Sequence, residues 1–352
     1  MVWQSSPLFI QAPTNPTVSG EARIGATLAA GTPGWAPGTG FTYEWLADGQ
    51  PIPDAQASTF VVRAEQADRR LSVQVVGRLG DGIAYQRTSA ATARVMVIHT
   101  PTIVGTPVAG SVLTAKPGSW TTGTTLTYRW YADGVAITGA TGSTLKLTSL
   151  QRGHVITVRV TGHKSGYFTV GVTSKATPKV PTAATPTIAG RAAVGTKLTA
   201  RPGTWTTGST FTYQWYASGV AISGAAGSTF TVGTAQRGKT IVVRVWGHRS
   251  LYATVGVTSK ATTRVPTVAT PTISGRRRVG SRLIANHGTW TSDTLFSYAW
   301  YANGAYIVGT AGHVAYTLTS AERGKTITVK VTGAKSGYTT VTKVSAATAR
   351  II

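Results

Sequence analysis

No cysteine occurs in the 352 residues, so neither a disulfide framework nor a thiolate metal site is available. Acidic residues are also scarce: ten Asp and Glu stand against 34 Lys and Arg, for a formal net charge of +24. Seven of the ten (Glu21, Glu44, Asp48, Asp54, Glu65, Asp68 and Asp81) fall in the first quarter, leaving Asp133, Asp293 and Glu322 for the rest. That scarcity excludes carboxylate-rich calcium joints over most of the chain. The early carboxylates are scattered, with Asp54 and Asp81 at turn-like positions, and nothing recommends a glycosidic acid–base pair among them. The six histidines form no H-x-x-x-H pair, and phosphate-binding, dinucleotide and G-x-S-x-G signatures are missing. No apolar run reaches the ~20 residues needed to span a bilayer as a helix. No catalytic residue, metal site or cofactor is therefore assigned, and the expectation is a chain that is not an enzyme.

Tryptophan and glycine organise what is present. Trp35, Trp120, Trp205 and Trp290 recur at a spacing of 85 residues, as do Trp45, Trp130, Trp215 and Trp300. Strict alternation accompanies them: Ile241, Val243 and Val245 share one phase, with Arg244 on the other, and Phe211, Tyr213 and Trp215 alternate with Thr212 and Gln214. Six or seven short strands per unit, punctuated by Gly- and Pro-bearing turns and lacking any helical period, predict an antiparallel sandwich. The expected division is an N-terminal segment 1–12, then repeats 13–97, 98–180, 181–265 and 266–352. The linkers carry prolines (Pro181 and Pro186, Pro266 and Pro271), which predict extended joints and an elongated rod of roughly 120–160 Å.

The pieces P-T-I-x-G, V-G-x-x-L-x-A, P-G-x-W, Y-x-W-Y-A-x-G, G-K-T-I-x-V and K-S-G-Y, spread over about residues 13–352, carry a resemblance. The chain resembles the Ig-like repeats common in surface and secreted proteins of actinobacteria and in proteins of their phages. That resemblance implies an all-β chain of four tandem immunoglobulin-like β-sandwich domains. Trp45, Trp130, Trp215 and Trp300 fall where such a domain buries its central tryptophan, and apolar residues such as Leu198 and Val243 fall where others place a cystine. It does not by itself assign a function, because the module is appended to proteins of many kinds.

The charge is unevenly spread. Repeat 1 carries seven basic and seven acidic residues; the next three carry eight, nine and ten basic residues against one, none and two acids. Such a field attracts polyanions: anionic cell-wall polymer, acidic polysaccharide and, in a salt-sensitive and non-specific way in vitro, nucleic acid. Two places break the repeat. Trp246 stands where the other repeats have Val76, Thr161 and Thr332; its outward phase, with His248, Arg249 and Tyr252 downstream, predicts an aromatic–basic ligand patch. Arg276, Arg277 and Arg278, with Arg282, predict an anion contact in repeat 4, or a charged edge that discourages strand pairing.

The first fifteen residues match no repeat and lack both a basic start and a sustained apolar run, so they are not expected to be a secretory signal. Their apolar Trp3, Leu8, Phe9 and Ile10 predict a docking arm, for instance onto virion capsid or tail proteins. Two settings fit: a phage virion accessory protein (head decoration, fibre or tail) at the virion surface, or the stalk or wall-binding region of an extracellular bacterial adhesin. Both amount to display and weak multivalent adhesion.

Overall fold

The alternation over Ile241–His248 builds one of the two eight-residue strands of the third repeat: Ile241, Val243 and Val245 are fully buried while Arg244 between them faces solvent. In this computed structural model, which describes residues 12–80, 82 and 84–352, the strand pairs antiparallel with Thr210–Ala217 over eight residue pairs. On its other side it pairs with Val255–Thr258, and the two-residue strand Val220–Ala221 closes the far edge through a hairpin. A second sheet holds Thr187–Ala189, Lys197–Arg201 and Thr229–Thr231, with Lys197–Arg201 in the middle. The same pairing of a four-stranded with a three-stranded sheet occurs in all four repeats. The chain is a series of four tandem immunoglobulin-like antiparallel β-sandwiches. The docking segment with Trp3, Leu8, Phe9 and Ile10, and Asp81, lie outside the described residues.

The two tryptophan series have different tasks. Trp45, Trp130, Trp215 and Trp300 have no exposed surface, and each indole N–H donates to a backbone carbonyl, of Ala57, Gly142, Gly227 and His313 respectively, at 2.9–3.0 Å. Burial without that partner would leave an orphan donor. Trp35, Trp120, Trp205 and Trp290 instead lie across the sixth strand, over Gly77, Gly162, Gly247 and Gly333, where a Cβ would collide with the ring. The V-x-G ending of that strand is thus a seat for the first tryptophan. In repeats 2 to 4 its indole donates back to the carbonyl three residues earlier, from Pro117, Pro202 or His287, which closes the turn before the ring.

Beyond the last strand the ladder continues through side chains. Ser89, Ser174, Ser259 and Ser345 are buried, and each hydroxyl accepts from the backbone N–H of Val73, Val158, Val243 or Val329 at 3.0–3.1 Å. Three residues later Thr92, Thr177, Thr262 and Thr348 accept in the same way from Leu71, Ile156, Ile241 and Ile327. One 3-10 turn per repeat (Ala64–Gln66, Ser149–Gln151, Thr234–Gln236, Ser320–Glu322) leads into the sixth strand. Its buried Gln66, Gln151, Gln236 or Glu322 side chain accepts from the backbone N–H three residues before it.

The chain divides into two compact units, Met1–Val180 and Pro181–Ile352, each holding two repeats. Inside each unit one residue just before the linker is hydrogen-bonded to the next repeat through both its backbone groups. In the first, Arg94 bridges to Tyr167: its N–H donates to the Gly166 carbonyl at 2.9 Å and its carbonyl accepts from Phe168 at 3.1 Å. In the second, Arg264 makes the same pair of bonds with Gly337 and Thr339, at 2.9 and 3.0 Å. The K-S-G-Y loop is therefore a docking loop for the preceding repeat, which is why a glycine with φ of 77° or 76° stands at Gly166 and Gly337.

Candidate functional site

Residues of the outward phase of the third repeat's four-stranded sheet come together around Trp246. Across from it on one side is Thr212; on the other is Gly256. The absence of a side chain at Gly256 makes room for two groups at once, since a Cβ there would meet both the Trp246 indole nitrogen and the Arg244 guanidinium. The Arg244 guanidinium carbon lies 5.0 Å from the centre of the indole, a cation–π contact on an open face. Next along the strand, His248 Nε2 and the Thr212 hydroxyl share a hydrogen bond of 2.9 Å. Trp246 and His248 are half-buried and Arg244 is exposed.

The indole N–H separates Trp246 from the repeat tryptophans. All eight of those donate to a carbonyl. The Trp246 indole N–H makes no hydrogen bond among the described residues, and no buried side-chain polar atom is left unpaired there, so this donor faces solvent. A ring face, a free N–H and a guanidinium on one flat strip can hold a sugar ring and an anionic substituent on it.

Arg249 and Tyr252 form a separate pair. The Arg249 guanidinium packs on Gly208, lies 5.9 Å from the Tyr252 ring, and its carbonyl accepts from the Tyr252 N–H at 3.2 Å. These residues occupy the slots of Lys164 and Tyr167 and of Lys335 and Tyr338, whose rings also lie under a lysine. Between them Leu251 has φ 68° and is 77% exposed, where the other two loops have glycine. A leucine in the left-handed region is strained, and its side chain gains no burial in return.

Arg276, Arg277 and Arg278 lie in the turn between Thr272–Ser274 and Arg282–Asn286, and these three and Arg282 are exposed. The turn is pinned by the chain end: Ile352 donates to the Arg277 carbonyl and Val279 donates to the Ile352 carbonyl, both at 2.9 Å. Among the described residues no carboxylate pairs with any of these arginines, and no hydrogen bond or ring contact joins them to the Trp246 strip.

The carboxylates do structural work. Asp48 and Asp133 each precede a glycine in a hairpin turn with positive φ at both positions, and each accepts from the backbone N–H of the neighbouring strand, Arg70 at 2.9 Å or Val155 at 2.8 Å. The bond from Arg70, with Arg69 and Arg94 nearby, holds the Asp48 carboxyl below its ordinary value despite some desolvation; the His154 ring, with Val155, does so for Asp133. Asp54 and Asp68 also occupy positive-φ turn positions. No group of three or more His, Asp or Glu side chains that could hold a metal occurs among the described residues, and no helix there is long and apolar enough to cross a membrane.

Arg244 is the residue that the sequence pattern alone did not single out. It was visible, because it shares the outward phase of Trp246 two positions earlier. Gly256 was not, since its role depends on the register between two strands.

No protein-family model matches the chain. It is 28% identical over 250 residues to the "Highly immunogenic outer capsid protein" of Enterobacteria phage T4, covering 65% of this chain and 66% of that protein, just under two thirds of its length. Among solved structures it is similar to the three N-terminal domains of the bacteriophage RB49 Highly Immunogenic Outer Capsid protein, at 16% identity over 71% of this chain and 98% of that one, with a TM-score of 0.26. It is also similar to the ICAM-5 D1–D4 ectodomain fragment, at 12% identity over 94% and 96% of the two chains, with a TM-score of 0.28. A Ca2+-stabilized adhesin of an Antarctic bacterium gives 13% identity, 96% and 99% coverage and a TM-score of 0.22. Scores below 0.5 carry no weight on function.

Proposed function

We propose that this chain is a non-enzymatic adhesive protein of a phage virion surface, an accessory of the outer capsid, that makes weak multivalent contacts with anionic polymer of the host envelope. The observation that carries the adhesive part is the Arg244–Trp246 strip: an indole with an unused N–H, stacked under a guanidinium, in a repeat with nine basic residues and no acid. Weak contacts repeated along one chain raise avidity without a tight single site. The virion placement is supported by the similarity to an outer capsid protein over 250 residues. In this reading the modules are 13–97, 98–180, 181–265 and 266–352, the four arginines Arg276, Arg277, Arg278 and Arg282 add a second anion contact, and Arg249 with Tyr252 flanks the first. Trp3, Leu8, Phe9 and Ile10 are assigned to attachment on the particle.

The test has two arms. Trp246→Ala and Arg244→Gln should each weaken binding of the full chain to isolated host-envelope polymer about threefold to tenfold, with the melting temperature within about 2 °C of the parent. Unchanged binding by both well-folded variants would remove the strip from the proposal. Peptides of this chain should be found by mass spectrometry in purified phage particles. Their recovery from host wall fractions but never from particles would overturn the virion placement.

A further inference from the structure

The joint between the two repeats of the second unit is built differently from the joint in the first. Both share the Arg–Tyr bridge, Arg94 with Tyr167 and Arg264 with Tyr338. Beside the second bridge lies a cleft of about 260 Å³ lined by Arg191 and Arg237 of one repeat and Lys343 of the next, over a floor that includes Ala193, Val268 and Val341. At the equivalent positions of the first joint the chain has Glu21, Ala67 and Val172, and Glu21 is paired with Arg23 at 2.6 Å. The second joint has thus exchanged an acid and two uncharged side chains for three cations. No acid lines the cleft, and none of its cations takes part in an ion pair among the described residues.

Three cations converging on a recess without a counter-charge repel one another unless an anion lies between them. One is already aimed: a guanidinium N–H of Arg191 donates to the Thr340 carbonyl of the neighbouring repeat, which fixes the planar group and leaves its other donors for an oxyanion. Lys343 approaches from the last strand of the fourth repeat, Val341–Val344, and Arg237 from the turn before the sixth strand of the third. The three come from three different elements of two repeats, so only the docked joint assembles them.

We infer that this cleft is a binding site for a phosphate group carried on an aliphatic chain, such as one phosphodiester of a polyol phosphate polymer. Guanidinium and ammonium groups supply charge-assisted bonds to the oxyanion, and the alanine and valine floor accepts the methylene carbons on either side. No aromatic side chain lines the cleft, so it offers a nucleobase nothing to stack on. The inference deepens the anionic-polymer reading by giving it a located site. It rests on that reading only in the polymer chosen as a probe.

The experiment is calorimetric titration of the full chain with a synthetic glycerol phosphate hexamer, with inorganic phosphate and with hexathymidylate. The hexamer should bind the parent, and inorganic phosphate should compete at higher concentration. The pair Arg237→Gln and Lys343→Gln should weaken hexamer binding at least tenfold. The pair Lys116→Gln and Lys146→Gln, equal in charge change and exposed on the second repeat, should change it less than twofold. Lys343→Glu, on an exposed edge position, serves as a second variant if the first pair alters the melting temperature, and should also weaken binding at least tenfold. Equal losses from both pairs would overturn the cleft while leaving the adhesive reading standing, because binding would then follow net charge. Absence of hexamer binding to the parent would overturn the cleft, and so would hexathymidylate bound as tightly and weakened as much by the cleft pair. Loss of envelope-polymer binding in Trp246→Ala with hexamer binding intact would separate the strip from the cleft.

Discussion

At the scale of single residues, the fourth repeat offers a titration that the other three lack. Gln66, Gln151 and Gln236 accept the backbone N–H that opens the 3-10 turn at 2.8–2.9 Å; in the fourth repeat the acceptor is Glu322, at 2.8 Å from both the N–H and the hydroxyl of Thr319. Burial pushes the Glu322 carboxyl up, but the Thr319 donors, with the Tyr316 hydroxyl and Lys325, outweigh it and hold the group below its ordinary value. The neighbouring phenol moves the other way: burial and then Glu322 push Tyr316 up to about 12. A carboxyl lowered on folding contributes stability that is present above its unfolded value, near 4.5, and is lost as pH falls through the lower folded value. Glutamine performs the same acceptance elsewhere, so Glu322→Gln should stay within about 1 kcal/mol of the parent at neutral pH and should unfold less readily under acid. Glu322→Ala should cost about 1–3 kcal/mol at neutral pH, because the Thr319 N–H loses its acceptor. Melting curves from pH 7 to pH 2.5 check both variants; a Glu322→Gln chain as acid-sensitive as the parent would show that Asp48 and Asp133, which have the same sign, dominate instead.

At the scale of elements, the first tryptophan and the glycine beneath it act as one packing unit. Gly247→Ala should destabilise the third repeat by about 1–3 kcal/mol, since a methyl there would occupy the Trp205 ring and the turn holding that ring has little freedom to shift. In the Trp205→Ala background the same change should cost much less, and the double-mutant cycle measures the difference. An equal cost in both backgrounds would mean that glycine serves the strand and not the ring. Strand existence was legible from alternation alone, because Val243 and Arg244 differ in phase and each phase has one environment. The service performed by Gly247 was not, since nothing local distinguishes a glycine that seats a ring from one that makes a turn. The same limit applies to Ser259, whose hydroxyl replaces a ladder carbonyl, and to the three-residue helical turns, too short to show a period. In the site, Trp246 was legible as an outward-facing break in the repeat, whereas Arg191, Arg237 and Lys343 meet only through the docking of two modules.

At the scale of the whole molecule, the distribution of charge decides more than its total. The first repeat balances seven basic residues with seven acids, and Arg23, Arg69 and Arg94 are in ion pairs there; the third has nine cations, no acid and no ion pair among the described residues. Screening acts over about 10 Å at 0.1 M salt, while one eight-residue strand spans about 26 Å. Charges farther apart than that act independently at such salt, so local pairing decides which cations are open to a polyanion. Retention of the full chain on a heparin-like matrix should weaken steeply with salt. Substituting Arg277 and Arg282 by Gln should lower the salt needed for elution. It should also reduce the slope of log affinity against log salt, by about one for each phosphate or sulfate group that an arginine no longer neutralises. Substituting Arg63 and Arg78, which are exposed in the balanced repeat, should change either quantity little. The two pairs remove the same formal charge, so a shared shift would mean that the matrix reads only the net +24. A shift confined to the fourth-repeat pair would mean that the polyanion lies along the modules that carry unpaired cations, which is the arrangement that adhesion through repeats 2 to 4 requires.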